Sequence, residues 1–210
     1  MKKIKWMILM VAITLFAAGC GKEVGDTGEQ TEEVSNVQAE VTADEEAQTV
    51  LPEVSSTDAW DSDVVYAPAD LTCVIPQGFV DNGENQGLYI HKSYPKDIST
   101  INHVISEGEE DISTWSAENF KEQLEQDYYD SYGDEVNIQI VQNDKIKVDG
   151  RPGLRLLLEF EFKGVSYEQL MYVFYNGTET HYVYYTQEKG NKWMDAFVES
   201  GESIHFVDQQ

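Results

Sequence analysis

Hydrophobic and polar positions divide the 210-residue chain into three zones. An apolar run from Trp6 to Phe16 comes first, a polar zone follows over residues 20–63, and alternating apolar and polar residues fill residues 64–207. The polar zone is rich in Glu, Asp, Thr and Ser, with Trp60 as its one aromatic residue, so it cannot bury enough apolar surface to offset chain entropy. We therefore predict a disordered acidic tether over residues 20–63 and one folded domain over residues 64–207.

Two helices are predicted inside the folded zone. The first takes its cap from Ser113–Ser116 and ends at Gly133, and its apolar residues recur at three- and four-residue spacing. These residues are Ala117, Phe120, Leu124 and Tyr128. The second helix begins at Asn191, carries apolar pairs four residues apart, and ends near Gly201.

Strand patterns account for most of the remaining domain. They cover residues 64–75, 87–93, 100–106, 136–141, 153–162, 165–175 and 180–187. The last two strands are joined by Asn176-Gly177, a favoured hairpin turn, and both carry apolar or aromatic residues on their two faces. Strands of this kind lie in the middle of a sheet that is covered on both sides. The pattern therefore predicts an α+β fold, with an antiparallel sheet of about six to seven strands and a helix on each face.

Short motifs stand at both ends of the domain. A Pro-x-Gly-aromatic motif lies in Val74–Phe79, and the predicted helix Trp193–Phe197 is followed by Ser203–Phe206. The first resembles the opening segment of PsbP-like and DcrB-like domains, and the second resembles their closing one. The strand Tyr182–Thr186 resembles the strand that precedes that helix. The resemblance implies a PsbP-like α/β/α sandwich. It also implies a binding or assembly factor without a catalytic motif, since most members of that group are of this kind and many are lipoproteins.

The amino-terminal segment combines a basic flank, a short apolar run and a cysteine. Lysines precede the run, and Leu15–Cys20 (Leu-Phe-Ala-Ala-Gly-Cys) stands at its end. The segment resembles the signal peptide of a bacterial lipoprotein, in which Leu15–Cys20 would be the lipobox. The run has about 11 residues, too few to span a bilayer core that needs about 20. The resemblance implies a signal peptide over residues 1–19, cleavage before Cys20, and lipid on that cysteine. The protein is then expected at the extracytoplasmic face of the cell membrane. The alternative is an ordinary signal peptide with a chance cysteine.

The charge of the chain limits its partners. With 14 basic and 39 acidic residues the formal net charge is −25, so nucleic acid and anionic lipid surfaces would repel it. The expected partners are the membrane, through the lipid, and an envelope protein or the cell wall.

Few residues suggest chemistry, and the sequence predicts no catalytic residue and no cofactor. Cys73 alternates with Leu71 and Ile75, which is typical of a small buried hydrophobe. Folding the 87–106 hairpin about Asp97 places His91 opposite His103, where two imidazoles and a carboxylate could bind a transition metal. A register shift of one residue would put the two on opposite faces, and they would then be half-exposed strand histidines.

Two other functions remain open besides a non-enzymatic binding or assembly domain. One is an envelope hydrolase with an unrecognised carboxylate site, and the other is a metal- or solute-binding lipoprotein. A deep cleft with two buried acids would favour the hydrolase.

Overall fold

The computed structural model describes residues 51–52, 69–107 and 115–208. Its elements in chain order are β1 (Ala69–Thr72), β2 (Phe79–Asp81), β3 (Leu88–His91), β4 (Thr100–Glu107), α1 (Ala117–Tyr132), β5 (Gln139–Val148), β6 (Arg151–Phe162), β7 (Val165–Tyr175), β8 (Glu179–Glu188), α2 (Met194–Glu202) and β9 (His205–Asp208).

Seven of these strands form one antiparallel sheet, and two form a small one. The order in the large sheet is β2-β3-β4-β8-β7-β6-β5, while β1 pairs with β9. Strands β5 to β8 follow one another as hairpins, and β4 joins β8, so β4, β8 and β7 occupy the three central positions. The predicted α+β fold with a seven-stranded antiparallel sheet is confirmed.

The two helices cover opposite faces of this sheet. The ring of Phe120 on α1 contacts Tyr182 on β8, whereas Phe197 on α2 contacts Tyr185 on the same strand. Side chains three residues apart on a strand point to opposite faces, so α1 and α2 lie on different sides. We call these the α1 face and the α2 face. Their presence explains why β7 and β8 are apolar on both faces.

The helix ends follow from local signals. The Ser116 hydroxyl accepts a hydrogen bond from the Asn119 N–H at 3.1 Å, and Gly133 closes α1 at φ 73°. The second helix begins at Met194, three residues later than predicted. Asn191 and Trp193 instead form the turn before it, where the Trp193 N–H donates to the side chain of Gln187 at 2.9 Å.

The first predicted strand differs from the observed one. Of residues 64–75, the segment Ala69–Thr72 forms β1 and pairs with the carboxy-terminal β9 rather than with the large sheet. Alternation shows that a segment is a strand, but it does not show which strand is its partner. Residues 64–68 of the prediction lie outside the described residues.

Strand β5 is longer than predicted and contains a bulge. Ile140 pairs with Leu158, but Gln142 pairs with the adjacent residue Leu157, so one residue of β5 is left out of the ladder. Because of the bulge, even-numbered side chains of β5 point to one face before it and to the opposite face after it. Ile140 lies on the α1 face, whereas Gln142 lies on the α2 face. The prediction ended the strand at Val141 because the alternation changes phase at that point.

Candidate functional site

The predicted lipidation site lies outside the described residues. Cys20 and the first 50 residues are not among them, so the signal peptide, the cleavage site and most of the tether stay predictions. Within the described segments, neither helix has the length and hydropathy needed to cross a membrane. Two residues of the predicted tether are described. Leu51 is 2% exposed and belongs to the core on the α2 face, so the contacts of the domain extend back at least to this residue.

The predicted opposition of His91 and His103 is wrong. Tyr89 pairs with Ile101, which places His91 opposite Ser99 and leaves His103 beside Gly87. The two histidines share the α2 face, as predicted, but they lie four residues apart along the sheet. With a rise of about 3.3 Å per residue, that spacing is too large for one metal ion.

His91 lies in a polar corner beside the start of α2. Its Nδ1 is 3.4 Å from Oδ2 of Asp97, and its ring lies 4.8 Å from the ring of Trp193. The Trp193 indole donates to the same Asp97 oxygen at 2.8 Å, and the Ser99 N–H donates to the other at 3.0 Å. Partial burial favours the neutral acid, but the hydrogen bonds outweigh it and lower the pKa of Asp97. This carboxylate therefore joins the β3–β4 turn to the start of α2.

His103 has a different histidine as its neighbour. Its Nε2 lies 3.0 Å from Nδ1 of His181 on β8, and Nε2 of His181 lies 2.9 Å from the side-chain nitrogen of Asn176. His181 is 1% exposed. Local alternation in the sequence does not reveal this pair, because the two histidines are 78 residues apart and the pairing of β4 with β8 is not a local signal.

The side chain of Asn176 fixes the tautomers of both histidines. Its oxygen accepts from the N–H groups of Thr178 and Glu179, and its nitrogen donates to the carbonyl of Ala69 at 2.9 Å. The nitrogen is therefore a donor to His181, whose Nε2 must be unprotonated. His181 then carries its proton on Nδ1 and donates it to His103. The result is a directed chain of hydrogen bonds between two neutral imidazoles.

Burial keeps this pair neutral. It lowers the pKa of His103 to about 4, with a further lowering from His181. Burial also lowers the pKa of His181 to about 4, where Asp70 opposes the effect and Arg151 adds to it. This chain of hydrogen bonds also joins the two sheets. Asn176 donates to the carbonyl of Ala69 on β1, and the ring of His181 contacts the ring of Phe206 on β9.

Cys73 lies just after β1 and packs against the core on the α2 face. Burial raises the pKa of its thiol, against the opposing effect of hydrogen bonds with Tyr185 and Ser200. Its partial burial among apolar neighbours agrees with the small hydrophobe predicted from the alternation of Leu71, Cys73 and Ile75. The high pKa disfavours a reactive thiolate.

A second cluster of polar groups surrounds Arg155 on the α2 face. Arg155 is 2% exposed, and its Nε and Nη2 lie 3.0 and 2.7 Å from one oxygen of Asp144 on β5. Gln142 donates to the same carboxylate oxygen at 3.2 Å. The bulge in β5 is what brings Gln142 and Asp144 to this face. Across the β6–β7 ladder Arg155 faces Tyr172, whose pKa burial raises to about 12 while the guanidinium opposes the rise.

This cluster holds the backbone of Leu51–Pro52. The Leu51 N–H donates to the side-chain oxygen of Gln142 at 2.9 Å, and Arg155 Nη2 donates to the carbonyl of Pro52. We call these two residues the strap, and the groups that hold it (Gln142, Asp144 and Arg155) the strap cleft. The sequence carries one signal of the cleft: Arg155 stands in the middle of a strand that is otherwise apolar, and a buried arginine requires partners.

Within the described residues, no site supports the envelope hydrolase or the metal- or solute-binding lipoprotein. Glu168 is the one fully buried carboxylate within them, and it accepts a hydrogen bond from Gln187 at 2.8 Å. No group of three or more His, Cys, Asp or Glu side chains in residues 51–52, 69–107 and 115–208 is arranged to hold a metal ion.

No protein-family profile and no curated protein matches the chain. Among solved structures it is similar to cyanobacterial PsbP (CyanoP) from Synechocystis sp. PCC 6803, with a TM-score of 0.49 and 12% identity over 71% of this chain and 98% of that one. It is also similar to LpqN, involved in cell envelope biogenesis of Mycobacterium tuberculosis, with a TM-score of 0.46 and 11% identity over 67% of this chain and 85% of that one. Membership of the PsbP-like group stays a prediction from the sequence.

Proposed function

We propose that this protein is a lipoprotein of the bacterial cell envelope, whose α+β domain binds a partner protein and catalyses no reaction. The observation that carries the anchor is the run Leu15–Cys20, which follows three lysines and a short apolar stretch. Acyl chains on Cys20 hold the protein to the extracytoplasmic face of the cell membrane, because each buried methylene contributes about 0.8 kcal/mol.

The strap cleft supports the binding role. Its side chains hold main-chain groups of Leu51 and Pro52, while the apolar side chain of Leu51 lies in the core beside them. Recognition of main chain together with one apolar anchor is the way many proteins bind extended peptides. The net charge of −25 favours a protein or cell-wall partner over nucleic acid or anionic lipid.

The anchor is tested by metabolic labelling with radioactive palmitate in a bacterial host. The wild-type protein and the Cys73→Ser variant are expected to incorporate label and to sediment with membranes, and the Cys20→Ser variant is expected to do neither. Label in Cys20→Ser, or its absence from the wild-type protein, would show that Cys20 is not the anchor.

Partner binding is tested by photo-crosslinking of the full-length protein in its native envelope. A photoreactive residue replaces Glu202, which is exposed at the end of α2 and raises the pKa of Tyr172, the residue opposite Arg155, or Glu122, which is exposed on α1 at the other face. A discrete adduct is expected from position 202 and not from position 122. Adducts at neither position, with the protein present at wild-type level, would contradict binding at this site.

A further inference from the structure

We propose that the strap cleft is a peptide-binding site that the chain closes with its own Leu51–Pro52, and that an extended Leu-Pro segment of a partner protein takes the same place. This inference rests on the proposed function and specifies the chemistry of its ligand.

The contacts define what the site recognises. Gln142 accepts from a main-chain N–H, and Arg155 donates to a main-chain carbonyl one residue later. Neither contact depends on a side chain of the bound segment. Selectivity comes from the Leu51 side chain, which is 2% exposed and lies in the same core as Ile146 and Leu157. A ligand therefore needs an extended backbone with leucine in the anchor position, and proline after it limits the conformations of the residue before it.

The recognising groups are also held in place by contacts that do not involve the strap. Asp144 receives two hydrogen bonds from Arg155 and one from Gln142, all at the same oxygen. This carboxylate orients the guanidinium toward the strap and also sets the amide of Gln142, whose nitrogen is engaged so that its oxygen faces the Leu51 N–H. Such preorganisation lowers the entropic cost of binding.

The position of the site allows exchange of the strap. The cleft lies beside β5, which is the edge strand of the large sheet, so a peptide can approach without displacing another strand. Among the described contacts, one apolar side chain and two hydrogen bonds to the cleft hold the strap. A partner segment with the same leucine and backbone groups can compete for these contacts. The apparent affinity of the protein for that segment is then reduced in proportion to the time that the strap occupies the cleft.

The experiment uses the full mature chain with Cys20→Ser, so that it can be purified without lipid, at about 0.15 M salt to screen the repulsion between acidic molecules. The probe is a fluorescent peptide with the sequence of residues 46–57 (Glu-Ala-Gln-Thr-Val-Leu-Pro-Glu-Val-Ser-Ser-Thr). In the Leu51→Asp variant the strap cannot enter the core. We expect this variant to bind the peptide at least tenfold more tightly than the wild-type protein does, as measured by fluorescence anisotropy.

Two controls link binding to the cleft. Adding Gln142→Ala to the Leu51→Asp variant is expected to weaken binding at least tenfold, whereas Lys147→Ala, an exposed change on the same strand, leaves it within twofold. A peptide with aspartate in place of its leucine is expected not to bind.

The inference is overturned if Leu51→Asp keeps the wild-type circular dichroism spectrum and does not bind the peptide, or binds it equally well after Gln142→Ala. The strap would then be packing only. If Leu51→Asp does not fold, Leu51→Ala decides by the same criteria. Failure of peptide binding would not change the result of palmitate labelling or exclude a crosslinked adduct at another surface. The proposed function is therefore tested independently of this inference.

Discussion

Nε2 of His103 lies 3.0 Å from Nδ1 of His181, and the two imidazole planes are stacked at 25°. The orientation of Asn176 makes His181 the donor and His103 the acceptor, so both rings are neutral. A proton added to either acceptor nitrogen would remove a hydrogen bond from the chain and place a charge inside the protein.

The pair makes stability depend on pH. The pKa of each imidazole is lowered from 6.5 to about 4, so between these values the unfolded chain binds protons that the folded protein does not. The contribution of the pair to the free energy of unfolding is therefore complete above about pH 6.5 and is lost as the pH falls to about 4. The full loss is at most about 3 kcal/mol for each imidazole.

Urea unfolding at several pH values between 7 and 4 measures this loss. The double variant His103→Gln/His181→Gln is expected to show a flatter dependence on pH than the wild-type protein, because glutamine does not titrate. His205→Gln, at an exposed position on β9, serves as the control and is expected to keep the wild-type slope. Equal slopes for the double variant and the wild-type protein would show that the pair does not titrate as described.

Ser116→Ala is expected to destabilise the protein by about 1 kcal/mol, since the Asn119 N–H loses its acceptor at the start of α1. Ser131→Ala, at an exposed position inside the same helix, is expected to cost less than about 0.5 kcal/mol because alanine favours helix. Thermal unfolding followed by circular dichroism measures both. A smaller loss for Ser116→Ala than for Ser131→Ala would contradict the capping role.

Signals that act within one turn or one hairpin could be read from the sequence. The cap, the apolar spacing of α1 and Gly133 are local signals; they placed the start of the helix within Ser113–Ser116, where Ser116 is the cap, and its end at Gly133. The two-faced apolar pattern of β7 and β8 depends only on burial, so it showed which strands are central.

Features that depend on distant pairing could not be read in the same way. The β3–β4 turn is centred on Pro95, because His91 pairs with Ser99. Asp97, the predicted centre, lies inside the turn and accepts a hydrogen bond from the Ser99 N–H. Because this centre lies two residues before the predicted one, the partner of each β3 residue lies four residues earlier than predicted. His91 is therefore opposite Ser99 and not opposite His103. The bulge in β5 likewise depends on its partner strand, and it alone places Gln142 beside Arg155.

Gly201 is required by the contact between α2 and β7. A Cβ atom at this position would lie 2.3 Å from the hydroxyl and ring of Tyr172, so even alanine would force the helix away from the sheet. We expect Gly201→Ala to destabilise the protein by about 1–3 kcal/mol, despite the better helix propensity of alanine. Glu199→Ala, at an exposed position on the same helix, is expected to have almost no effect. Chemical unfolding decides, and a Gly201→Ala protein as stable as the wild type would contradict this close approach.

The ion pair of Arg155 and Asp144 gives the sharpest energetic prediction. Arg155 is 2% exposed, so Asp144→Asn leaves a guanidinium without its counter-charge in the core and is expected to cost about 3–5 kcal/mol. Arg155→Met removes the charge and adds apolar area, but it leaves the Pro52 carbonyl and the Asp144 carboxylate without this donor. The double variant Arg155→Met/Asp144→Asn is expected to lose less stability than the two single changes added together, because neither charge is then left alone. Lys189→Ala provides the comparison, since its pair with Glu159 is solvent-exposed and is worth at most about 1 kcal/mol. Urea unfolding of all four variants at pH 7 gives the coupling energy, and additive losses in the double variant would show that the two groups do not act as a pair.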